Sequence, residues 1–356
     1  MLTIGDYAKE IVEIANDYKT GDIITYEHVL TWINQFKEDE RIVIISEIAH
    51  ILKNYYMSKE KALEILSEVI QEKGIIRGGF EGNHHRIKFL DIQQKGNSQK
   101  DLLKLLDTHL NEKFDIGIEN CGNEVDTYIY IDDCLYSGNT VKWDIINWAE
   151  NFKDNTTLHL VFFGMHLRNY NYIRNEIKKC LKQKNVKIKF WYLKLINDIF
   201  SFEKTSKYEC LWAPNTNYKE DTYEYIEQLD STRSKKQRKH VPLLRDERIP
   251  LEETLFTSKK KREVIEKAFF EKGVYIQSQV RDYNEKIKPL GYDNKKTTGF
   301  GSMFITFRNI ANNCPIVLWW GDPLSHDGIN KWYPLFPRTV NKKLNVGIDF
   351  EEWINL

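Results

Sequence analysis

The stretch Tyr128-Ile129-Tyr130-Ile131-Asp132-Asp133-Cys134-Leu135-Tyr136-Ser137-Gly138-Asn139-Thr140 holds the most informative chemistry in this 356-residue sequence. An apolar run ends on two adjacent carboxylates, and a short loop with one glycine follows. Physically this is a buried strand, an acid pair at its carboxyl end, and a turn that opens a helix. In a parallel α/β sheet, ligands sit at the carboxyl ends of strands. The backbone N–H groups of Ser137 to Thr140 would converge at a helix N-terminus, which favours a phosphate. Gly138 lets the backbone turn and come close to an oxyanion, and the Ser137 and Thr140 hydroxyls add donors. Two carboxylates about one sugar away from that phosphate suit a ribose diol, or Mg²⁺ shared with the ligand's own oxygens. The expected object is a cradle for a ribose 5-phosphate. Asp132 and Asp133 are its catalytic and metal-sharing acids, and Ser137, Gly138, Asn139 and Thr140 hold the phosphate. The same letters also fit an ordinary strand–turn–helix whose acids cap the helix.

The elements that must position this loop follow from periodicity. RIKFLDI (86–92) alternates and reads as a strand, with a polar loop and the helix KDLLKLLDTHLNEKF behind it. TYIYIDD (127–133), LHLVFFGMH (158–166) and VKIKFWYLKLI (186–196) read as three more strands, with helices over 137–152 and 168–184. Strands alternating with helices imply a parallel sheet, and YIYI and VFF are apolar on both faces, as buried parallel strands require. Before Gly74 the spacing predicts four helices, the second beginning after Thr25 and the fourth at Ser58. They form an N-terminal helical domain over 1–74, of bundle or winged-helix type. The core is expected over 75–200, a polar insertion with a mobile part over 201–254, and a C-terminal completion of the core over 255–356. Helical periodicity resumes near 257–286, and TTGFGSMFITFRN and CPIVLWW look like two strands of a late hairpin joined by IANN.

Composition excludes several classes. Fifty-two Lys+Arg against 52 Asp+Glu give zero formal charge, so no global attraction to nucleic acid or anionic lipid is expected. No run approaches the ~18 apolar residues of a membrane helix. MLTIGDYAKEIVEIAND lacks the basic start and apolar run of a secretory signal. Cys121, Cys134, Cys180, Cys210 and Cys314 are scattered and odd in number, so neither a disulfide framework nor a zinc site is expected, and a reducing cytoplasmic location is. Walker A, H-E-x-x-H and Ser-His-Asp signatures are absent from the sequence.

Four apolar residues, two acids, three variable residues and then [ST]-G-x-T resemble the phosphoribosyl pyrophosphate signature of type I phosphoribosyltransferases, and IDDCLYSGNT fits it at each constrained position. The resemblance implies that Asp132 and Asp133 contact the ribose hydroxyls and that Ser137, Gly138, Asn139 and Thr140 bind the 5′-phosphate. It also implies an earlier βα loop for pyrophosphate. LDIQQKGNSQKDLL (90–103) stands where that loop belongs, making Lys95, Gly96, Asn97 and Ser98 its candidates, although any polar βα loop looks similar. Tyr136 departs from the pattern, because several purine-salvage members place an acidic proton-transfer residue there. A phenol with an ordinary pKa near ~10 is a poor base. A wider resemblance covers about 25–320. WINQF (32–36), the phosphate loop and FITFRNIANNCPIVLW (304–319), with Asn309, Asn312, Asn313 and Pro315, are similar to the PRTase-CE group of bacterial conflict systems. It implies a defence setting beside a reverse transcriptase, as in retrons, with RNA or DNA as a further partner.

The remaining features have plainer readings. Asn312 and Asn313 suit a tight turn, or could read a base edge or leaving group near the ribose. RSKKQRKH (233–240) and SKKKR (258–262) are either solvated surface or local contacts to nucleic acid. The sequence thus predicts an α/β, type I phosphoribosyltransferase-like sheet flanked by helices. Its function would be a glycosyltransferase or nucleotide glycohydrolase acting with Mg²⁺ at ribose C1 of phosphoribosyl pyrophosphate or another ribose-5-phosphate nucleotide. The rival is a catalytically inactive nucleotide-sensing or nucleic-acid-docking module.

Overall fold

The structure, a computed structural model, describes residues 2–19, 21–94, 96–199, 206–280, 284–323 and 332–338. Among the described residues the elements run α1 (Ile4–Ile14), α2 (Tyr26–Ile33), α3 (Glu38–Tyr55), β1 (Tyr56–Met57), α4 (Lys59–Gln71), α5 (Phe80–Asn83), β2 (Ile87–Phe89), α6 (Ser98–Phe114), β3 (Thr127–Leu135), α7 (Asn139–Asn147), β4 (Thr157–His166), α8 (Tyr170–Cys180), β5 (Lys187–Ile196), α9 (Glu220–Ser231), α10 (Lys235–His240), α11 (Lys259–Ser278), β6 (Ile305–Thr306) and α12 (Ile316–Trp319). None of the described helices is long and apolar enough to cross a membrane.

The chain divides into two compact units, Lys59–Ile196 and Met1–Ser58 with Asn197–Leu356. The first is the α/β part. Its strands lie in the order β2-β3-β4-β5, all parallel, with Thr127 opposite Ile87 and Thr157, and Lys187 opposite Thr157. Helices α6, α7 and α8 make the crossovers, so all strands share one carboxyl edge, where the loops after β2, β3 and β4 emerge. Tyr128 and Tyr130 of β3, with Leu158, Leu160 and Phe162 of β4, meet Val141 and Ile145 of α7 and Ile173 and Ile177 of α8 in one core. Each such side chain contributes about 1.5–3 kcal/mol when removed from water. That core fixes where β3 ends and α7 begins. This is the parallel α/β architecture expected from the sequence.

The other unit holds α1–α3 and everything after residue 196. Thr25 caps α2, its side chain accepting the His28 N–H, at the position expected. Trp32 and Trp332 both donate their indole N–H to the Val317 carbonyl, and Tyr56-Met57 pairs in parallel with Ile305-Thr306. These contacts place the C-terminal residues with α1–α3, whereas the sequence division assigned 255–356 to the α/β core and 59–74 to the N-terminal helices. The late hairpin is also not formed. Residues 316–319 of CPIVLWW are helix α12 rather than a strand, because a four-residue apolar run carries no period that separates the two. Asn312 and Asn313 are buried and take the turn role: the Asn312 carbonyl accepts from Tyr292, and the Asn313 amide donates to the Tyr292 carbonyl.

The described part of 201–254 is not a solvated excursion. Tyr208, Cys210, Leu211 and Trp212 are buried. Arg262, fully buried, donates to the Tyr208 and Cys210 carbonyls and to the carboxylates of Glu253 and Glu266. Glu266 also receives the Arg245 guanidinium at 2.7 Å and the Trp212 N–H at 3.1 Å. Each buried charge here has an opposite partner, which a buried ion pair requires.

Candidate functional site

Asp132 and Asp133 occupy the carboxyl end of β3, and Tyr136 to Gly138 form the turn into α7. Asp132 is 5 % exposed and Asp133 half-buried. The Asp132 carboxylate accepts the N–H of Asp133 at 2.9 Å, and the Asp133 carboxylate accepts that of Cys134 at 2.7 Å. Both acids are therefore oriented by the strand end itself.

Gly138 has φ +73° and stands at the cap position of α7 with no side chain to close it. A Cβ there would lie 2.6 Å from Ile173 Cγ1 and 3.2 Å from Leu135 Cδ1. Glycine is thus required twice, by the left-handed backbone and by the close approach of α8. The N–H groups of a first helical turn have no intrahelical acceptor, and the helix dipole adds partial positive charge. The Ser137 hydroxyl accepts the Asn139 N–H at 3.4 Å, while Thr140 is exposed in the first turn.

The loop after β2 lies against the same helix. Gln94 donates its N–H to the Asp144 carboxylate of α7 at 3.3 Å, and Asn147 donates its amide to Gln94 at 3.2 Å. Gln99, fully buried in α6, accepts the N–H groups of Ile92 and Gln93 at 2.6 and 2.9 Å. Gly96 turns the loop at φ +91°, and Ser98, the first residue of α6, exchanges hydrogen bonds with Gln93. Lys95 lies outside the described residues. The structure thus joins the loop after β2 to the second half of α7, the helix that the loop after β3 opens.

Asp144 makes that junction, and periodicity alone did not single it out. It is buried, accepts the Tyr130 hydroxyl at 3.0 Å, and burial raises its pKa. The Tyr130 phenol is itself pushed far up, first by burial and then by the charges of Asp132, Asp144 and Asp133. Asp144 thus lies beside β3 from α7, bound to Tyr130 two residues before Asp132. Gln99 was missed as well. A polar residue inside an amphipathic helix reads as its wet face, and only the loop's need for an acceptor betrays it. The Tyr136 ring stacks on that of His166 at the end of β4, with centroids 5.5 Å apart. The cavities at 226–244 and 233–297 are not lined by this loop.

A parallel α/β sheet with this acid pair, glycine turn and open helix end at its carboxyl edge defines a phosphoribosyltransferase-like module. The family model PRTase-CE matches residues 29–338, and the chain belongs to that family. No curated protein and no solved structure matches it.

Proposed function

We propose that this module binds a 5-phosphoribosyl donor, phosphoribosyl pyrophosphate or a related nucleotide, and acts at ribose C1. The observation that carries this reading is the strand-end acid pair of β3 followed by a glycine turn into a helix start with no side-chain cap, beside a second polar loop, after β2, that is held on the same helix by Asp144. Ser137 to Thr140 would hold the 5′-phosphate, Asp132 and Asp133 the ribose hydroxyls, and Gly96 to Ser98 with Lys95 the pyrophosphate. The Asp132 and Asp133 carboxylates are hard oxygen ligands, and either could share Mg²⁺ with the ligand's own oxygens. When bound, the ion would neutralise charge developing on pyrophosphate. The C1–O bond breaks with its electron pair leaving on pyrophosphate, and a nitrogen or oxygen nucleophile then bonds to C1. The protein's own task is to fix the two phosphate ends and keep the sugar hydroxyls oriented as positive charge grows on the ring.

We further propose the setting that the sequence resemblance implies, an effector of bacterial antiphage defence beside a reverse transcriptase and its RNA or DNA, in the cytoplasm. Tyr136 favours a second reading, a nucleotide sensor without turnover, since a phenol packed on His166 replaces the acid used for proton transfer. Incubation of the pure protein with Mg²⁺, labelled phosphoribosyl pyrophosphate and NAD separates them. Release of pyrophosphate or of free base supports the enzyme, saturable binding without turnover supports the sensor, and neither outcome rejects both.

A further inference from the structure

Lys142 stands one turn into α7 and is only 9 % exposed. Its ammonium lies over the rings of Trp143 and of Tyr172 in α8, 4.8 and 5.4 Å from their centroids. Among the described residues no carboxylate pairs with that ammonium and no oxygen accepts its N–H groups. Glu176, one turn beyond Tyr172, pairs with Lys179 at 2.9 Å instead. The two rings are each 54 % exposed, more than any other large hydrophobic side chain described in the Lys59–Ile196 unit. A held cation thus emerges between two uncovered rings, and exposed apolar surface of this kind marks a contact site.

The patch is continuous with the turn at Gly138. The Lys142 N–H bonds the Gly138 carbonyl at 3.0 Å, and Tyr172 precedes Ile173, the residue against which Gly138 packs. Trp143 is three residues beyond Thr140, and residues at that spacing are neighbours on a helix surface. Val141 and Ile145 face the core, so Trp143 looks out from the opposite side of α7. A ribose 5-phosphate placed between the β3 acids and the start of α7 has its sugar on the strand side. Whatever is joined to its phosphate from outside leaves toward Lys142 and Trp143.

We propose that Lys142, Trp143 and Tyr172 hold the far half of a dinucleotide joined through a pyrophosphate bridge, whose near half is the ribose 5-phosphate in the turn. Lys142 neutralises the second phosphate, and an exposed ring stacks the second base. Stacking tolerates any base, because every base has a π-face, so the patch selects a nucleotide without choosing its letter. One cation and two rings fit one nucleotide. A nucleic-acid strand needs a longer basic track, and the Glu176 carboxylate lies next along α8. The inference rests on the reading of Ser137 to Thr140 proposed above. It deepens that reading by naming nucleotides extended on the 5′ side as ligands of the same site.

The test is calorimetric titration of the full chain, with Mg²⁺, by ribose 5-phosphate and by ADP-ribose, which joins the same ribose 5-phosphate to adenosine 5′-phosphate. The parent should bind ADP-ribose about tenfold or more tightly than ribose 5-phosphate. Trp143→Ala and Tyr172→Ala truncate exposed rings and should keep the fold. Together they should remove that gain and leave the affinity for ribose 5-phosphate unchanged, while Trp143→Phe keeps most of it. Lys142→Gln should weaken ADP-ribose more than ribose 5-phosphate. The inference alone is overturned if ribose 5-phosphate binds and ADP-ribose binds no more tightly, or if the ring variants lower both ligands equally. If neither ligand binds the parent, the ribose-phosphate reading falls and this one with it. A 5′-phosphorylated single-stranded oligonucleotide that displaces ADP-ribose at a lower concentration than ADP-ribose itself overturns it in favour of a nucleic-acid end.

Discussion

Gly138→Ala tests how the turn between β3 and α7 is held. The φ of +73° places an alanine in the left-handed region, at a cost of roughly 1–2 kcal/mol. Its Cβ would sit 2.6 Å from Ile173 Cγ1 and 3.1 Å from Cδ1, and overpacking of a rigid core costs about 1–3 kcal/mol more. Reduced freedom of the unfolded chain returns about 0.4–1 kcal/mol. The net expectation is a loss of roughly 2–4 kcal/mol in urea denaturation, with weakened binding of any ribose 5-phosphate ligand. Ile173→Ala supplies the control. Alone it should cost about 2–5 kcal/mol as a buried isoleucine truncation, but in the double variant the new methyl enters vacated space. The two should therefore fall short of additivity by the overpacking part, about 1–3 kcal/mol. Stability within about 0.5 kcal/mol of the parent for Gly138→Ala, or full additivity of the pair, would refute the claim that α8 dictates glycine at this turn.

Other consequences concern the scaffold. Gln99→Leu removes the acceptor of two loop N–H groups, so amide exchange at Ile92 and Gln93 should accelerate while α6 keeps its protection; unchanged exchange would deny the clasp. Arg262→Met strands Glu253 and weakens the partnering of Glu266, and should cost about 3–5 kcal/mol by chemical denaturation. His159, which accepts the Trp191 indole N–H at 2.9 Å, has its pKa pushed down to about 4, chiefly by burial and then by Lys189. A depressed histidine favours the neutral form when folded, so its contribution is full above the ordinary value near ~6.5 and is lost as pH falls through about 4. His159→Gln should flatten that part of the stability–pH curve, and an unaltered curve would count against it.

Much of the α/β part was legible because its physics is local. YIYI and VFF are apolar on both faces, and the four expected strands lie where β2 to β5 are found. The turn at Gly138 was legible because a glycine set between paired acids and a helix start marks a tight bend. What escaped the sequence is spatial. Asp144 and Gln99 look like the wet faces of their helices, and their roles arise only when loops fold over them. The grouping of 197–356 with residues 1–58 depends on indole and backbone contacts spanning hundreds of positions. Tyr208 and Trp212, inside a stretch that looks polar, are buried with their backbone bound to Arg262 and Glu266, charges whose burial no periodicity reveals.

The most direct measurement is calorimetric titration of phosphoribosyl pyrophosphate with Mg²⁺ into the parent and into the folded Asp132→Asn, Asp133→Asn variant. Hydrogen bonds to charged groups are worth about 1.5–3 kcal/mol each, so the parent should bind saturably and the variant about a hundredfold or more weakly. Equal affinity in the two proteins would contradict the assignment of the β3 acid pair to the sugar.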